Sequence, residues 1–454
     1  MQTQAGQVMM LRRIMVGLER RVKAVLEFAE GHGEMELAGL EREAWRLSRD
    51  CFAAVVEGVM ASRREVEERR RQCECGGELR YKGEQSRQQE TLVGLVRWHR
   101  GYYRCQKCGR GRYPLDEALA VAPGQFSDCV QEGAARLAVD RPFREAAEEF
   151  SEHTGIALSA REIARITEER GQVLEERGAR ERQQLLSGEG LARGSRRAVL
   201  GRAWAVALDA AKVRFEDGWH EVKAGSVFWV QAGSREGQSL AQVGTGAEVR
   251  AKEQSYIAQV GSMEEAGLRL YAEVIKRGID PALELLVCLG DGAPGIWNQY
   301  ALHFPLRVEV LDWYHASEHL WAAGNGVFGE GTQLAKQWVA TQEQLLWDGK
   351  VEEVIASLHL LCQAPTGTAA QEQIHYFEVN KERMRYPHYR AQGYPIGSGV
   401  VESACKRVVG ARLKGSGMCW SKPGAQAVLT LRTAKLNNCW PEAWLATRTH
   451  RLAA

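Results

Sequence analysis

Residues Leu283–Asn298 read LELLVCLGDGAPGIWN. From Leu283 to Gly290 the run is almost wholly apolar, and it stops at an aspartate set between two glycines. A short apolar run with that ending predicts a buried strand. Asp291 then stands where the strand opens onto the surface, the place where ligands and catalytic groups gather in open α/β sheets. Alone, an aspartate before glycine is a turn former. Its meaning depends on what else reaches the same spot.

The flanking sequence supplies candidates. AWAVALDAAKVRF, HEVKAGSVFWVQAG and QSYIAQVG are three β-prone runs joined by turns. SMEEAGLRLYAEVIKRGI is an amphipathic helix, PGIWNQYALHF a short one, and LRVEVLDWYH a further strand. The order is β-β-β-α-β-α-β, followed by helical sequence to about Tyr394. In such a sheet the first and fourth strands are expected to be neighbours. Asp209, ending the strand AWAVAL, then meets Asp291, and Glu402, on a helix beginning near Gly399, approaches from the side. Three carboxylates at one place repel and raise each other's pKa values. Hard divalent cations relieve this, and two ions about 3.5–4 Å apart suit in-line displacement at phosphorus.

The bulk numbers leave this reading open. The chain has 454 residues, 26% of them charged, with a net charge of +2. Nucleic-acid binding must therefore rest on local basic patches. Eleven cysteines, most of them scattered singly, argue against a disulfide framework and for a reducing cytoplasmic setting. Arg12 and Arg13 interrupt the N-terminal apolar residues, so no signal peptide is expected. No stretch has the length of a membrane span.

Residues 1–70 are helical in period. Residues 71–125 carry Cys73 and Cys75, then Cys105 and Cys108, with 29 residues of β-prone sequence between the two pairs. Four thiolates so paired read as a structural Zn²⁺ site in a ribbon-like β module. The C-x-C pair departs from the usual C-x-x-C, making Cys73 the least secure ligand and His99 a substitute. Residues 126–200 return to helix. PFREAAEEFSEHTGIALSAREIARITEERG reads as helix, turn and helix, with Gly155 in the turn, Ser159 as cap and Glu162 completing a capping box. That layout suits a helix-turn-helix DNA-binding element or a plain helical hairpin. Arg161 and Arg165 lie on the second helix, among the acids Glu162, Glu168 and Glu169.

Toward the C-terminus, Lys406, Arg407, Arg412, Lys414, Lys422, Arg432 and Lys435 face a single acid, Glu402, between Ile396 and Asn437. Lys406 and Arg407, one turn beyond Glu402, would aim cations at phosphates, and Arg412 and Lys414 would follow the same strand. Trp420 would stack on a base or fill the core. HASEH, His315 to His319, also matches the H-x-x-E-H pattern of zinc proteases, with Glu318 as its acid.

LGDGAPGIWN, LDWYHASEHL and IGSGVVESACKRVVGARLKGSGMCWS, together with CGGELR and YYRCQKCGRGRYPLDEAL upstream, resemble the DDE transposases of bacterial insertion sequences. The resemblance is to the Kra type, with motifs in the style of Mutator-like enzymes, and it runs from about residue 70 to the end. It implies an α/β catalytic core, RNase H-like with a mixed five-stranded sheet, over 201–312 and 395–454. An all-helical insertion over 313–394 would interrupt that core. It further implies two Mg²⁺ ions, replaceable by Mn²⁺, hydrolysis at element ends and strand transfer into target DNA. By the same resemblance Asp209, Asp291 and Glu402 are the three acids, and Asp312 and His315 form the Asp-x-x-His element after the second. Asp209 is the weakest match, because DAAKV lacks the glycine expected after the first acid. The implied partners are double-stranded terminal repeats and target DNA, bound by a dimer or larger assembly. The alternatives are an inactive zinc-dependent DNA-binding derivative and, more remotely, the metalloprotease.

Overall fold

The computed structural model describes residues 4–31, 36–67, 72–187, 202–231, 251–397 and 404–452. The chain is mixed α/β and divides into two units, Met1–Glu169 with Trp444–Ala454, and Arg170–Ala443. Among the described residues no helix is long and apolar enough to cross a membrane.

In the first unit, helices Gln4–Gly31 and Leu37–Glu67 pack on each other. Strands β1 (Leu79–Thr91), β2 (Gly94–Cys105) and β3 (Gly111–Arg112) form an antiparallel sheet in that order. Alternation along β2 turns Val96 and Trp98 inward, where Ala53 and Met60 of the second helix cover them. Helices Asp128–Ala138, Phe143–Thr154 and Ala160–Leu186 follow, the last belonging to the second unit from Arg170 on. Gly155 takes φ +65° and ends the middle one, a left-handed cap that glycine adopts without strain. Ser159 Oγ accepts from the Glu162 N–H at 3.1 Å. The Glu162 carboxylate pairs with Arg165, so only the serine half of the capping box is seen.

The second unit is built on a five-stranded sheet of β4 (Arg202–Phe215), β5 (Gly218–Gln231), β6 (Lys252–Val260), β7 (Leu286–Gly290) and β8 (Arg307–Leu311). Their order is β6-β5-β4-β7-β8. The pairs β4–β5 and β5–β6 are antiparallel; β4–β7 and β7–β8 are parallel. The first and fourth strands of this sheet are therefore neighbours. β7 is buried at every residue, as a central parallel strand must be. Helices Met263–Lys276 and Pro294–His303 supply the crossovers. After β8 come helices Trp313–Phe328, Gln333–Trp347, Val351–Leu361, Thr368–Asn380 and Tyr386–Ala391. Their apolar faces share one core with the sheet, in which Trp313 meets Trp347 and Tyr386 edge to face.

Two strand boundaries differ from the sequence pattern. β4 does not end before Asp209 but runs on to Phe215, because its hairpin with β5 stays in register from Arg202↔Gln231 to Phe215↔Gly218. The apolar run before Asp291 starts its strand late: Leu283 and Leu285 are 78% and 46% exposed, and Leu283 N–H bonds Asp280 O in a turn.

A buried polar contact in the first unit is centred on Asp116, 7% exposed. Its carboxylate accepts from Trp98 Nε1 at 3.0 Å and Arg87 Nη1 at 2.9 Å, and it pairs with Arg100. Removing it leaves two largely buried guanidinium groups without their counter-ion. Asp116→Ala is expected to cost about 3 kcal/mol in urea unfolding; a loss below roughly 1 kcal/mol would show that water reaches these arginines.

Candidate metal centre

The sheet register brings the site together. Ala207 of β4 is opposite Leu289 of β7, and Gly290 of β7 is opposite Leu311 of β8. Continuing each register sets Asp209, Asp291 and Asp312 level, Asp209 within β4 and the other two just past the carboxyl ends of β7 and β8. One ligand atom each from Asp209, Asp291 and His315 lie within 4.8 Å of one another. Glu402 lies outside the described residues, as do its neighbours from 398 to 403.

Each group is held locally. Asp209 Oδ1 accepts from the Ala210 N–H at 2.6 Å. Burial pushes the Asp209 carboxyl above its usual pKa and the Asp291 charge adds to this, against hydrogen bonds from Ala210 and the Cys405 thiol. Asp291 Oδ1 accepts from the Ala293 N–H at 2.8 Å, bending the chain into helix Pro294–His303. Asp312, 1% exposed, caps helix Trp313–Phe328: Oδ1 accepts from the His315 N–H at 3.0 Å and lies 3.2 Å from His315 Nδ1. That hydrogen bond, and the charges of Asp312, Asp291 and Asp209, hold the imidazole pKa up at about 9 in spite of burial. A positive charge at this point, whether a proton on His315 or a metal ion, offsets the carboxylates.

Helix Thr368–Asn380 buttresses the second acid. Tyr376 Oη donates to the Asp291 carbonyl at 2.8 Å. Its ring stacks on His319 at 3.6 Å between centroids, and His319 Nδ1 lies 2.6 Å from Gln373 Oε1. His315 and His319 thus face different partners, and among the described residues no metal-binding group joins them with Glu318. The sequence gives no signal for Tyr376 or Cys405; both act through packing against residues remote in the chain.

The basic residues divide. Lys406, Arg407 and Lys414 are exposed, and Arg407 Nη1 donates to Tyr256 Oη at 3.0 Å. Residues Cys405–Gly410 form a π-helical turn, a form common at functional sites. Arg412 does not suit the strand-following role expected of it: it is 1% exposed, with its guanidinium 4.7 Å from the Trp420 ring centroid. Trp420 is buried and donates to Leu413 O at 3.2 Å, so it fills the core. In the first unit Arg161 is exposed, while Arg165 is tied to Glu162 and Glu169 on its own helix.

A second cluster occupies the first unit. The thiols of Cys73, Cys75, Cys105 and Cys108 lie within 4.8 Å of one another, with Cys73–Cys108 at 3.8 Å and Cys75–Cys105 at 3.5 Å. The C-x-C pair thus contributes both sulfurs. His99, the expected substitute, is 65% exposed beside Glu84 and outside the cluster. The two turns meet at Gly77, where a Cβ would stand 2.7 Å from Cys105 Sγ. The backbone N–H of Cys108, helped by that of Lys107, holds the Cys105 thiol pKa down, to about 6.

The sequence profile of an uncharacterised protein family (UPF0236) matches residues 31–193. That span includes the four cysteines and the helices after them, and it ends before the acidic site. No curated protein matches the chain.

Gly292 fixes the turn on which Asp291 depends. Its φ is +102°, and a Cβ there would lie 2.5 Å from the Tyr376 ring. Gly292→Ala is expected to destabilise the protein by about 2 kcal/mol, read from urea unfolding, since backbone strain and steric overlap act together. An unchanged midpoint would mean that the Tyr376 ring moves aside freely.

Proposed function

We propose that this chain is a DDE-type transposase of the insertion-sequence Kra type, with an RNase H-like catalytic core in its second unit. The observation that carries the reading is the meeting of Asp209 and Asp291 on neighbouring parallel strands, within ligand distance of each other and of His315. The sheet order, three antiparallel strands and then two parallel to the first, suits such a core. So does a block of helices between β8 and the segment that carries Glu402.

In this reading the two aspartates, with Glu402 as the third acid, bind two Mg²⁺ or Mn²⁺ ions. Bound ions would supply activation of an attacking oxygen and stabilisation of the leaving one at a DNA phosphodiester. Asp312 fixes His315 beside the acids. Lys406, Arg407 and Lys414, exposed after the third acid, face the phosphates. Arg161, on the second helix of the helix-turn-helix, contacts the element's terminal repeats. Its neighbour Arg165 must first be released from Glu162 and Glu169. Synapsis of two ends calls for a dimer or larger assembly, and the setting is the cytoplasm.

The decisive experiment incubates the protein with Mn²⁺ or Mg²⁺ and a plasmid carrying the terminal repeats. The reading expects nicking, lost by at least 10²-fold in Asp291→Asn while the gel shift of the same DNA persists. A shift without cleavage by the wild-type chain would leave an inactive DNA-binding derivative. Absence of both overturns the reading.

We likewise propose that the four cysteines hold a structural Zn²⁺ in a ribbon-like module. The donor set supports it: tetrahedral Zn–S bonds of about 2.3 Å place sulfurs roughly 3.8 Å apart, close to the 3.5 and 3.8 Å found between paired thiols. Metal analysis is expected to find one zinc per chain, lost in Cys105→Ser with a fall in melting temperature. A zinc-free protein that melts normally would show the cluster to be an unmetallated hairpin.

A further inference from the structure

His315 is placed as more than a neighbour of the acids. Its ligand atom lies within 4.8 Å of oxygens of both Asp209 and Asp291. Asp312 Oδ1 is 3.2 Å from Nδ1 and also accepts from the His315 backbone N–H, so ring and main chain are fixed together. With Nδ1 engaged by Asp312, the nitrogen left for the acids' side of the ring is Nε2. A histidine that bonds a buried carboxylate through one nitrogen, with a ring nitrogen close to two further carboxylates, matches the usual arrangement of a metal-ligating imidazole. Asp312 adds an independent sign: its second oxygen, Oδ2, is buried with no hydrogen-bond partner among the described residues. A buried carboxylate left so needs a nearby positive centre.

We propose that His315 Nε2 is a direct ligand of the ion held between Asp209 and Asp291, and that this nitrogen makes the site select Mn²⁺, or a similar first-row transition ion, over Mg²⁺. The inference rests on the reading above only in that the same two acids bind a cation. Mg²⁺ keeps oxygen ligands and several waters in near-ideal octahedral geometry. Imidazole nitrogen favours the later divalent metals, and a mixed nitrogen and carboxylate set accepts Mn²⁺. Asp312 is the positioning residue: it fixes the ring that carries the ligand and reaches the ion only through it.

The test is Mn²⁺ titration of the full-length chain, with free Mn²⁺ read by electron paramagnetic resonance and bound Mn²⁺ by electron spin-echo modulation. Wild type is expected to bind Mn²⁺ at least tenfold more tightly than Mg²⁺ in competition, with modulation from a directly coordinated nitrogen. His315→Ala should abolish that modulation and weaken Mn²⁺ binding by at least about 10-fold, no less than the roughly 10–100-fold lost with an outer-shell partner of a metal ligand. Its effect on Mg²⁺ affinity should be several-fold smaller. Asp312→Asn, which keeps an acceptor for the helix cap, should weaken Mn²⁺ with nitrogen coordination retained, separating positioning from ligation. Wild-type Mn²⁺ without a nitrogen signal, or His315→Ala binding as wild type does, overturns the inference. Unchanged binding in Asp291→Asn overturns the acid pair itself. Wild type that binds as expected yet cuts no DNA would uphold this site and sink the nuclease reading.

Discussion

The parallel register of β4, β7 and β8 is the constraint on which the site depends. Ala207 opposite Leu289 and Gly290 opposite Leu311 leave no freedom in where Asp209, Asp291 and Asp312 come level. A slip of one residue in either pairing would send one acid to the opposite face of the sheet. The register is itself secured by burial: Leu286 to Leu289 are at most 1% exposed, and Ala205 to Leu208 are fully buried. Hydrophobic packing thus fixes groups that electrostatics alone would drive apart. The tension is visible in the raised pKa of Asp209, and in that of His315, raised by the Asp312 hydrogen bond and the carboxylates around it. A site with this balance has a built-in demand for positive charge.

Periodicity made much of the sheet legible. The strand runs and the crossover helix stand out because each is long enough for its period to show. Boundaries were harder for a physical reason. The β-prone run AWAVALDAAKVRF extends past Asp209, but only the hairpin with β5 shows that one unbroken strand carries the acid in its middle. Leu283 and Leu285 are apolar and yet exposed, since the Asp280 turn takes that segment before the sheet begins. Charge misled in the same way at Arg412, whose guanidinium stacks under Trp420 rather than facing solvent. The acids at 209 and 291 were readable because strand order alone predicts that the first and fourth strands pair. Tyr376 was not, since its hydrogen bond to Asp291 spans 85 positions of sequence.

The two candidate metal sites use opposite chemistries, and the fold keeps each donor set pure. Four thiols converge where two tight turns meet, with Gly77 permitting the approach and the N–H groups of Cys108 and Lys107 favouring thiolate at Cys105. Such a soft, closed set leaves no position for a substrate. The acid site has carboxylates and one imidazole and is only half-buried, so oxygen from water or phosphate has room to enter. The Cys405 thiol lies beside Asp209, and burial there raises its pKa well above the ordinary thiol value. A protonated thiol donates a hydrogen bond to Asp209 and does not compete as a ligand.

The helices after β8 do more than cover the sheet. Asp312 both ends the level row of acids and starts helix Trp313–Phe328, so the first turn of that helix carries His315 to the site and the second carries His319 away from it. His319 then serves as a platform for Tyr376, which reaches back to the main chain of Asp291. The path closes on itself: the second acid is braced by a helix whose position is set by the helix that the neighbouring acid caps. A ring of this kind resists small displacements, because moving any one member strains the next. Gly292 is where the ring is tightest, with a tyrosine face filling the volume a side chain would need. Held from both directions, by Tyr376 on its main chain and Ala293 on its carboxylate, Asp291 is positioned before any ligand reaches it, the preorganisation that a metal ligand would require.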